Sequence, residues 1–185
     1  MIIFPLVWAT WFLSEIMINR MFRSPVHGHN DQDRGSLRRI WITIFFAIGT
    51  GIFCNMAINT PLSHGLTVPG IGLVLILLGM GLRFFSIRTL GTFFTVDVAV
   101  QTQQTIKTDG LYRYIRHPAY AGNLLCFIGF GLSLDNWVSL LVVVCLVFLA
   151  IRHRMVIEER VLLDQIGREY AEYMEHTARL IPGIY

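Results

Sequence analysis

Two stretches hold the residues that could do chemistry. In the first, RYIRHPAYAGNLL (113–125), a basic and aromatic half runs into an apolar half, with His117 and Pro118 at the junction. Proline suits the first turn of a helix, where its missing N–H leaves no bond unmade. His117 then stands at a helix start, and Tyr120 follows one turn on along the same face. Backbone N–H groups at such a start favour an anionic ligand group. The second stretch, RHRMVIEER (152–160), sets Arg154 and Glu158 four residues apart on one helix face, with Glu159 beside them. On an open surface that pair would add about 0.3–0.5 kcal/mol. Facing one cleft with His117 and Tyr120, it offers a cation and an anion to a zwitterionic ligand. The bland alternative is interfacial anchoring, because Tyr, Arg and His also sit comfortably at the headgroup level of a bilayer.

Whether the two stretches meet depends on the elements around them. The chain is 54% apolar and 15% charged, with a mean hydropathy of +0.57. Soluble domains carry about a quarter charged residues. A helix that crosses a bilayer takes about 20 mostly apolar residues, with about 17 as the lower end. Residues 1–18, 40–58 and 69–88 meet that requirement. The first lacks the basic leading region and small-residue cleavage site of a signal peptide, and reads as a retained helix. Residues 119–151 as one helix would be about 50 Å long, too long for a hydrocarbon core of about 30 Å. The polar break Ser133-Leu134-Asp135-Asn136 divides them into spans 119–134 and 137–151, a tight helical hairpin. The expected fold is an all-α integral membrane protein, one domain over residues 1–185, with five transmembrane helices. The hairpin returns residues 152–185 to the side that holds 89–118, so the chemistry belongs there.

Charge placement gives the orientation. Arg20, Arg23, Arg34, Arg38 and Arg39 lie between the first two spans. Arg83, Arg88, Lys107, Arg113 and Arg116 lie at or between the third and fourth, and Arg152, Arg154, Arg160, Arg168 and Arg179 follow the fifth. Five spans put all of them on one side, which the positive-inside rule makes the cytoplasm, with the N-terminus outside. The net charge of +3 then reflects topology and anionic headgroups. No basic patch with interleaved aromatics suggests nucleic acid. Cys54, Cys126 and Cys145 fall within apolar spans without a CxxC, and are expected to be buried packing residues.

Other features read as structural. The pairs Gly49/Gly51, Gly70/Gly72, Gly79/Gly81 and Gly129/Gly131 lack the strand-then-helix setting of a dinucleotide fingerprint, and are expected to let helices pack closely. HGHNDQD brings His27, His29, Asp31 and Asp33 together, but its Gly, Asn and Gln are ordinary loop chemistry, so no metal site is expected. Alternation of Val96, Val98 and Val100 with polar or small residues predicts extended or irregular backbone over 91–110, closed by a turn at Asp109-Gly110. From Arg152 to about His176 the spacing of Ile157, Val161, Leu162, Ile166, Tyr170 and Tyr173 predicts a helix. Its apolar face has only headgroups or the 91–116 segment to cover it.

GLYRYIRHPAYAGNLL, followed after the hairpin by EERVLLDQIGREYAEYMEHTARLIP, resembles the isoprenylcysteine carboxyl methyltransferase and phospholipid methyltransferase superfamily. Its pattern is a Gly-x-Tyr, then Arg-His-Pro-x-Tyr, Glu-Glu, Gly-x-x-Tyr and a final Pro. The resemblance runs from about Gly91 to Pro182; the first two spans carry no signature beyond hydrophobicity. It implies an integral membrane enzyme that holds S-adenosylmethionine in a pocket roofed by the cytoplasmic helix and tail, with a lipid-like acceptor entering from the bilayer. By the family pattern Tyr112, His117, Pro118, Ala119, Tyr120, Glu158 and Glu159 belong to the cofactor site, and Arg154 faces the acceptor. The segment before Gly110 also touches the cofactor in such enzymes, which points to Gln101, Gln104, Thr105, Ile106 and Lys107. Here that segment is shorter, and Gln104-Thr105-Ile106-Lys107 replaces a His-x-Leu-Val type.

The acceptor follows from protonation. An α-carboxylate, with a pKa of about 3.3–3.7, is already a nucleophile at neutral pH and needs only a positioned cation such as Arg154. An amine must first lose a proton, which asks for a base such as His117 or Glu159. The favoured reading is methyl-ester formation on an amphiphilic acid such as an isoprenylated cysteine. A phospholipid amine is the alternative, and a small thiol a third. Membrane reductases that use NADPH also end in a short-helix hairpin and a Gly-x-x-Tyr-like tail. Their 2′-phosphate calls for clustered basic residues, and Lys107 is the only lysine here. A non-catalytic scaffold would bind no cofactor at all.

Overall fold

The structure, a computed structural model, describes residues 2–22, 31–96 and 106–185. Among these residues six helices follow one another: α1 (Ile3–Met21), α2 (Asp31–Ala57), α3 (Thr67–Leu90), α4 (Pro118–Ser133), α5 (Trp137–Ile166) and α6 (Arg168–His176). Short 3-10 turns occupy Gly91–Phe93 and Gly110–Arg113. Among the described residues no strand forms, and only two isolated bridges occur. Gly35–Ala57, Thr67–Phe93 and Trp137–Ile166 are long and apolar enough to cross a membrane, which makes this a multi-pass membrane protein. α4 has 16 residues and is shorter. Glu15, Asn19 and Arg20 lower the hydropathy of the second half of α1.

Glycine sets how closely two of these helices approach. A Cβ on Gly72 would lie 2.5 Å from Gly129 O, and one on Gly79 would lie 2.6 Å from Gly122 O. On each helix the two glycines are seven residues apart and so share one face. α3 and α4 therefore touch backbone to backbone. Gly51 makes a similar approach to Val143 on α5, and Gly131 to Leu140 across the hairpin. Gly49, Gly70 and Gly81, in contrast, face open space. Residues two apart on a helix point about 200° apart, so only one of each such pair can meet a given neighbour.

The core gathers Trp11, Ile76, Phe127, Phe130, Val143, Val147 and Ile151. Trp11 meets Phe127 edge-on at 4.8 Å, and Trp8 meets Phe130 at 5.2 Å while donating to Ser133 Oγ at 3.0 Å. Leu13, Phe45, Phe53, Leu77, Phe84 and Leu149 are exposed, as lipid-facing residues would be. Cys54 and Cys126 are buried as expected, whereas Cys145 is exposed on α5 and corrects that reading. An apolar run in a membrane helix does not tell inward faces from outward ones.

The polar break makes the expected hairpin. Asp135 adopts φ +52°, and its Oδ1 accepts bonds from Ser63 N and Ser63 Oγ, both at 3.0 Å. Asn136 caps α5 by accepting from Ser139 N at 2.9 Å, and its Nδ2 donates to Ile58 O at 2.6 Å. The turn is thus tied to the loop between α2 and α3. Beyond residue 151 the helix runs on to Ile166, about 45 Å from its start. Gly167, at φ +75°, then breaks it. The single helix expected up to about residue 176 is therefore two, because a left-handed glycine ends one and lets α6 turn away. The ends of the 91–110 segment are 3-10 turns rather than extended chain, and residues 97–105 lie outside the described residues.

Candidate active site

His117 is the N-cap residue of α4 and Pro118 its first residue, as the sequence predicts. The His117 and Tyr120 rings lie 5.6 Å apart. Across the hairpin, Tyr120 Oη donates to Glu158 Oε2 at 3.0 Å. His117 Nε2 lies 3.2 Å from Glu159 Oε1, and an ionised carboxylate only accepts, so that nitrogen carries the proton. His117 Nδ1 then faces Glu158 Oε1 at 4.0 Å.

The two adjacent glutamates do different work. Glu158 stands in the wall of a cavity with its side chain 30% exposed. Glu159 is buried and receives Arg116 Nε at 3.0 Å and Arg179 Nη2 at 2.7 Å, besides His117. The bond to Glu159 pushes the Arg179 guanidinium further up from its ordinary value. Arg116 Nη1 also donates to Met174 O at 2.9 Å and to Thr177 O. Beside these ions the backbone closes a short bridge: Ala178 N donates to Tyr114 O, Arg116 N to Ala178 O, and His117 N to Arg179 O. The tail is thereby clamped onto the segment that enters α4.

One cavity runs through the site. At one end its wall includes Tyr112, His117, Tyr120, Glu158, Tyr170 and Tyr173. At the other it is apolar, with Trp11 and Phe12 of α1, Ile40, Trp41 and Ile44 of α2, and Phe127 of α4. Burial raises the Tyr112 phenol, and pushes that of Tyr173 up to about 12, so both are neutral donors at ordinary pH. Tyr173 Oη donates to Tyr112 O at 2.6 Å, and Tyr112 Oη to Ser86 O at 3.3 Å. Tyr173 is thus tied to the segment around Tyr112, while Leu162 and Ile166 of the same face line the cavity. Arg154, also on the wall, donates from Nη1 to Ser36 Oγ and from Nη2 to Val96 O at 2.7 Å.

Ile106, Lys107, Tyr112, His117, Ala119, Tyr120, Arg154 and Glu158 all come to this wall. Pro118 and Glu159 stand behind it, one starting the helix and the other anchoring the tail. Gln101, Gln104 and Thr105 lie outside the described residues, as do His27 and His29. Among the described residues no group of His, Cys, Asp and Glu could hold a metal ion. The helix start offers less to an anion than expected. Pro118 has no N–H, and Tyr120 N and Ala121 N both donate to His117 O at 3.1 Å, which leaves the Ala119 N–H. Sequence reasoning missed Glu15 and Arg83, which pair at 2.7 Å on the same wall. Their signal was charge inside apolar spans.

An Arg-His-Pro-x-Tyr helix start is thus tied to a Glu-Glu pair, beside a cavity lined by both polar and apolar side chains. The sequence profile of the phospholipid methyltransferase family matches residues 68–169, from the start of α3 into α6. The chain belongs to that family. This phospholipid methyltransferase family member is similar to protein-S-isoprenylcysteine O-methyltransferase B of Arabidopsis thaliana, 32% identical over 119 residues that cover 63% of this chain and 60% of that protein. It is also similar to the Schizosaccharomyces pombe protein-S-isoprenylcysteine O-methyltransferase, 31% identical over 109 residues that cover 58% and 46% of the two chains. Among solved structures it resembles the eukaryotic intramembrane Ras methyltransferase, isoprenylcysteine carboxyl methyltransferase, with a TM-score of 0.59 and 27% identity. That alignment covers 86% of this chain and 55% of the other. The family member thus spans about 60% of the length of the plant relative it matches, and less of the yeast one.

Proposed function

We propose that the protein transfers a methyl group from S-adenosylmethionine to the carboxylate of a lipid-like acceptor, such as an isoprenylated cysteine, and forms a methyl ester. The observation that carries this is a continuous cavity lined by polar side chains near His117 and by apolar ones around Trp11 and Trp41. A water-soluble cofactor suits the polar end, and an acyl or prenyl chain suits Trp11, Phe12, Ile40, Trp41 and Ile44. The names of the relatives support the same acceptor class.

The polar end fits the cofactor. A partly exposed carboxylate, Glu158, stands among the rings of Tyr112, Tyr120, Tyr170 and Tyr173. A carboxylate and aromatic faces are what a cationic ligand needs. S-adenosylmethionine supplies an electrophilic methyl group on a sulfonium. Glu158, its Oε2 fixed by Tyr120, would hold the ligand's ammonium or its ribose hydroxyls. Arg154 would face the acceptor carboxylate, held in place by Ser36 on α2 and by Val96. An in-line displacement on an anion destroys charge, so alignment in a dry cavity supplies most of the acceleration. The clamped tail, through Glu159, Arg116 and Arg179, would keep water out.

The same reading gives the topology: five spans, with the N-terminus outside and the site and C-terminus cytoplasmic. The basic residues gather at the site's end of the helices, and the 59–68 loop has none. A second reading, methylation of a phospholipid amine, is favoured by the family whose profile matches. It requires a base: Glu159 is engaged by two arginines, and His117, its Nε2 held by Glu159, would have to serve through Nδ1, 4.0 Å from Glu158. The deciding experiment incubates purified protein with radiolabelled S-adenosylmethionine and either a prenylated cysteine acid or a phosphatidylethanolamine. Label released by mild base from the prenylcysteine product supports the ester; base-stable label on the phospholipid alone would overturn it.

A further inference from the structure

Among the described residues four buried side-chain atoms have no hydrogen-bond partner: Trp11 Nε1, Thr60 Oγ1, Arg83 Nε and Asn123 Oδ1. Thr60 lies in the loop between α2 and α3, off the cavity. Arg83 Nε faces Glu15 Oε1 at 2.7 Å, so its charge is met even without an aligned hydrogen bond. Trp11 and Asn123 remain. Both line the cavity, and they are only 2% and 6% exposed.

The two stand on facing stretches of α1 and α4. Trp11 meets Phe127 at 4.8 Å, and Asn123 precedes Phe127 by one turn on the same helix face. A buried indole N–H ordinarily finds an acceptor. Trp8, one turn earlier on α1, does so: its Nε1 donates to Ser133 Oγ at 3.0 Å. Trp11 and Asn123, by contrast, bring a donor and an acceptor to the cavity wall with no partner of their own. Leaving either bare in a buried setting is costly.

A neutral group would satisfy them. Neither side chain carries a charge, and an ion held between them would lose its hydration without gaining a counter-charge. A hydroxyl both gives and takes a hydrogen bond, so it can take the Trp11 N–H and give to the Asn123 oxygen. It suits the Asn123 amide in either orientation, because the amide nitrogen would give to the same hydroxyl oxygen. A plain hydrocarbon satisfies neither atom.

Resting on the ester-forming reading above, we propose that Trp11 and Asn123 form a subsite for a hydroxyl on the acceptor's hydrocarbon chain. The protein then takes a hydroxylated amphiphilic acid in preference to its plain counterpart. Asn123 lies three residues beyond Tyr120, about 5 Å further along α4. With Arg154 facing the carboxylate, the hydroxyl therefore belongs to the chain and not to the reacting group. Phe12 and Phe127, on the same wall, pack on the hydrocarbon around it.

The test measures a ratio, which a general loss of folding does not move. N-acetyl-S-dodecylcysteine is compared with a series of analogues that moves one hydroxyl along the alkyl chain. Wild type should prefer one hydroxyl position over the plain chain by about 10-fold or more in kcat/KM, the size expected of two neutral hydrogen bonds. The double variant Trp11→Phe with Asn123→Leu swaps both groups for apolar ones of similar shape, and there the ratio should fall to about one. Should that protein not fold, Asn123→Leu alone keeps only the Trp11 donor, and the preference should shrink several-fold. No preferred position in wild type, or a preference that neither variant moves, overturns the proposal and leaves Trp11 and Asn123 to share a trapped water. Calorimetric titration with the same acids separates this result from failure of the ester-forming reading. A hydroxyl preference in affinity without ester formation keeps the subsite and removes that reading; ester formation without any preference does the reverse.

Discussion

Tyr120 and Glu158 join hydroxyl to carboxylate at 3.0 Å, across the hairpin of α4 and α5. They are 38 residues apart in the chain, and the short turn at Asp135-Asn136 makes the meeting possible. The bond fixes one oxygen of Glu158. Glu158→Ala should weaken binding of S-adenosylhomocysteine by about 1.5–3 kcal/mol, the loss of a charge-assisted hydrogen bond. Tyr120→Phe should weaken it less, because the carboxylate stays while its orientation relaxes. Calorimetric titration of the detergent-purified variants reads both; equal losses would give Tyr120 a direct contact of its own.

Glu159, one residue on, should behave as a structural group. Glu159→Ala leaves Arg116 and His117 buried without their anion, and breaking such a pair costs about 3–5 kcal/mol. The thermal midpoint should fall sharply, and limited proteolysis should cut first within residues 168–185. A variant with an unchanged midpoint and lost cofactor affinity would move Glu159 into the binding site.

The α3–α4 contact makes a sharper stability prediction. A methyl group added at Gly79 would meet Gly122 O at 2.6 Å and Cys126 N at 2.8 Å, and backbone cannot swing aside as a side chain can. Gly79→Ala should destabilise by about 1–3 kcal/mol, in the range of overpacked cores. Gly81→Ala, where nothing lies within 4 Å, should leave the thermal midpoint unchanged.

Topology can be tested from the loop opposite the site. Gly65 is exposed and has open space around it, whereas Asn136 is buried and caps α5, so the loop is the better place for a reporter. Gly65→Cys should react with an impermeant maleimide added outside intact cells, while a cysteine appended after Tyr185 should react only after permeabilisation. Cys145 is exposed on α5 and is replaced by serine first. Labelling of both sites from one side would remove the five-span arrangement.

Much of this was legible because the signals were local. Pro118 announces a helix start, Asp135-Asn136 announces a turn between two apolar runs, and the spacing of Arg154 and Glu158 puts both on one face. What the sequence did not disclose depends on distant pairing. Nothing in a run of apolar residues says that Cys126 faces inward and Cys145 outward. Nothing near Glu159 says that Arg116 and Arg179, 43 and 20 residues away, will claim it in preference to a ligand. Glu15 and Arg83 were visible as charges in apolar spans, but their partnership needed α1 and α3 side by side.

Arg154 carries the last test, because its burial complicates the obvious variant. It is only 2% exposed and holds Ser36 and Val96, so Arg154→Ala also removes ties to α2 and to the chain after α3. Cofactor affinity and thermal midpoint must therefore be measured beside the rate. If the guanidinium positions the acceptor carboxylate, Arg154→Ala should depress kcat/KM for a prenylcysteine acid while S-adenosylhomocysteine still binds, since what is lost is orientation of the nucleophile. Arg154→Lys should recover part of the rate, as an ammonium keeps the charge without the planar two-pronged contact. Ser36→Ala removes one tie without touching the charge, and should cost far less than Arg154→Ala. An amine acceptor reverses the expectation, because a cation at this position repels a protonated amine and its removal should leave the rate intact or raised. Wild-type kcat/KM on the acid in Arg154→Ala would exclude the arginine from acceptor binding and turn the assignment towards phospholipid amines.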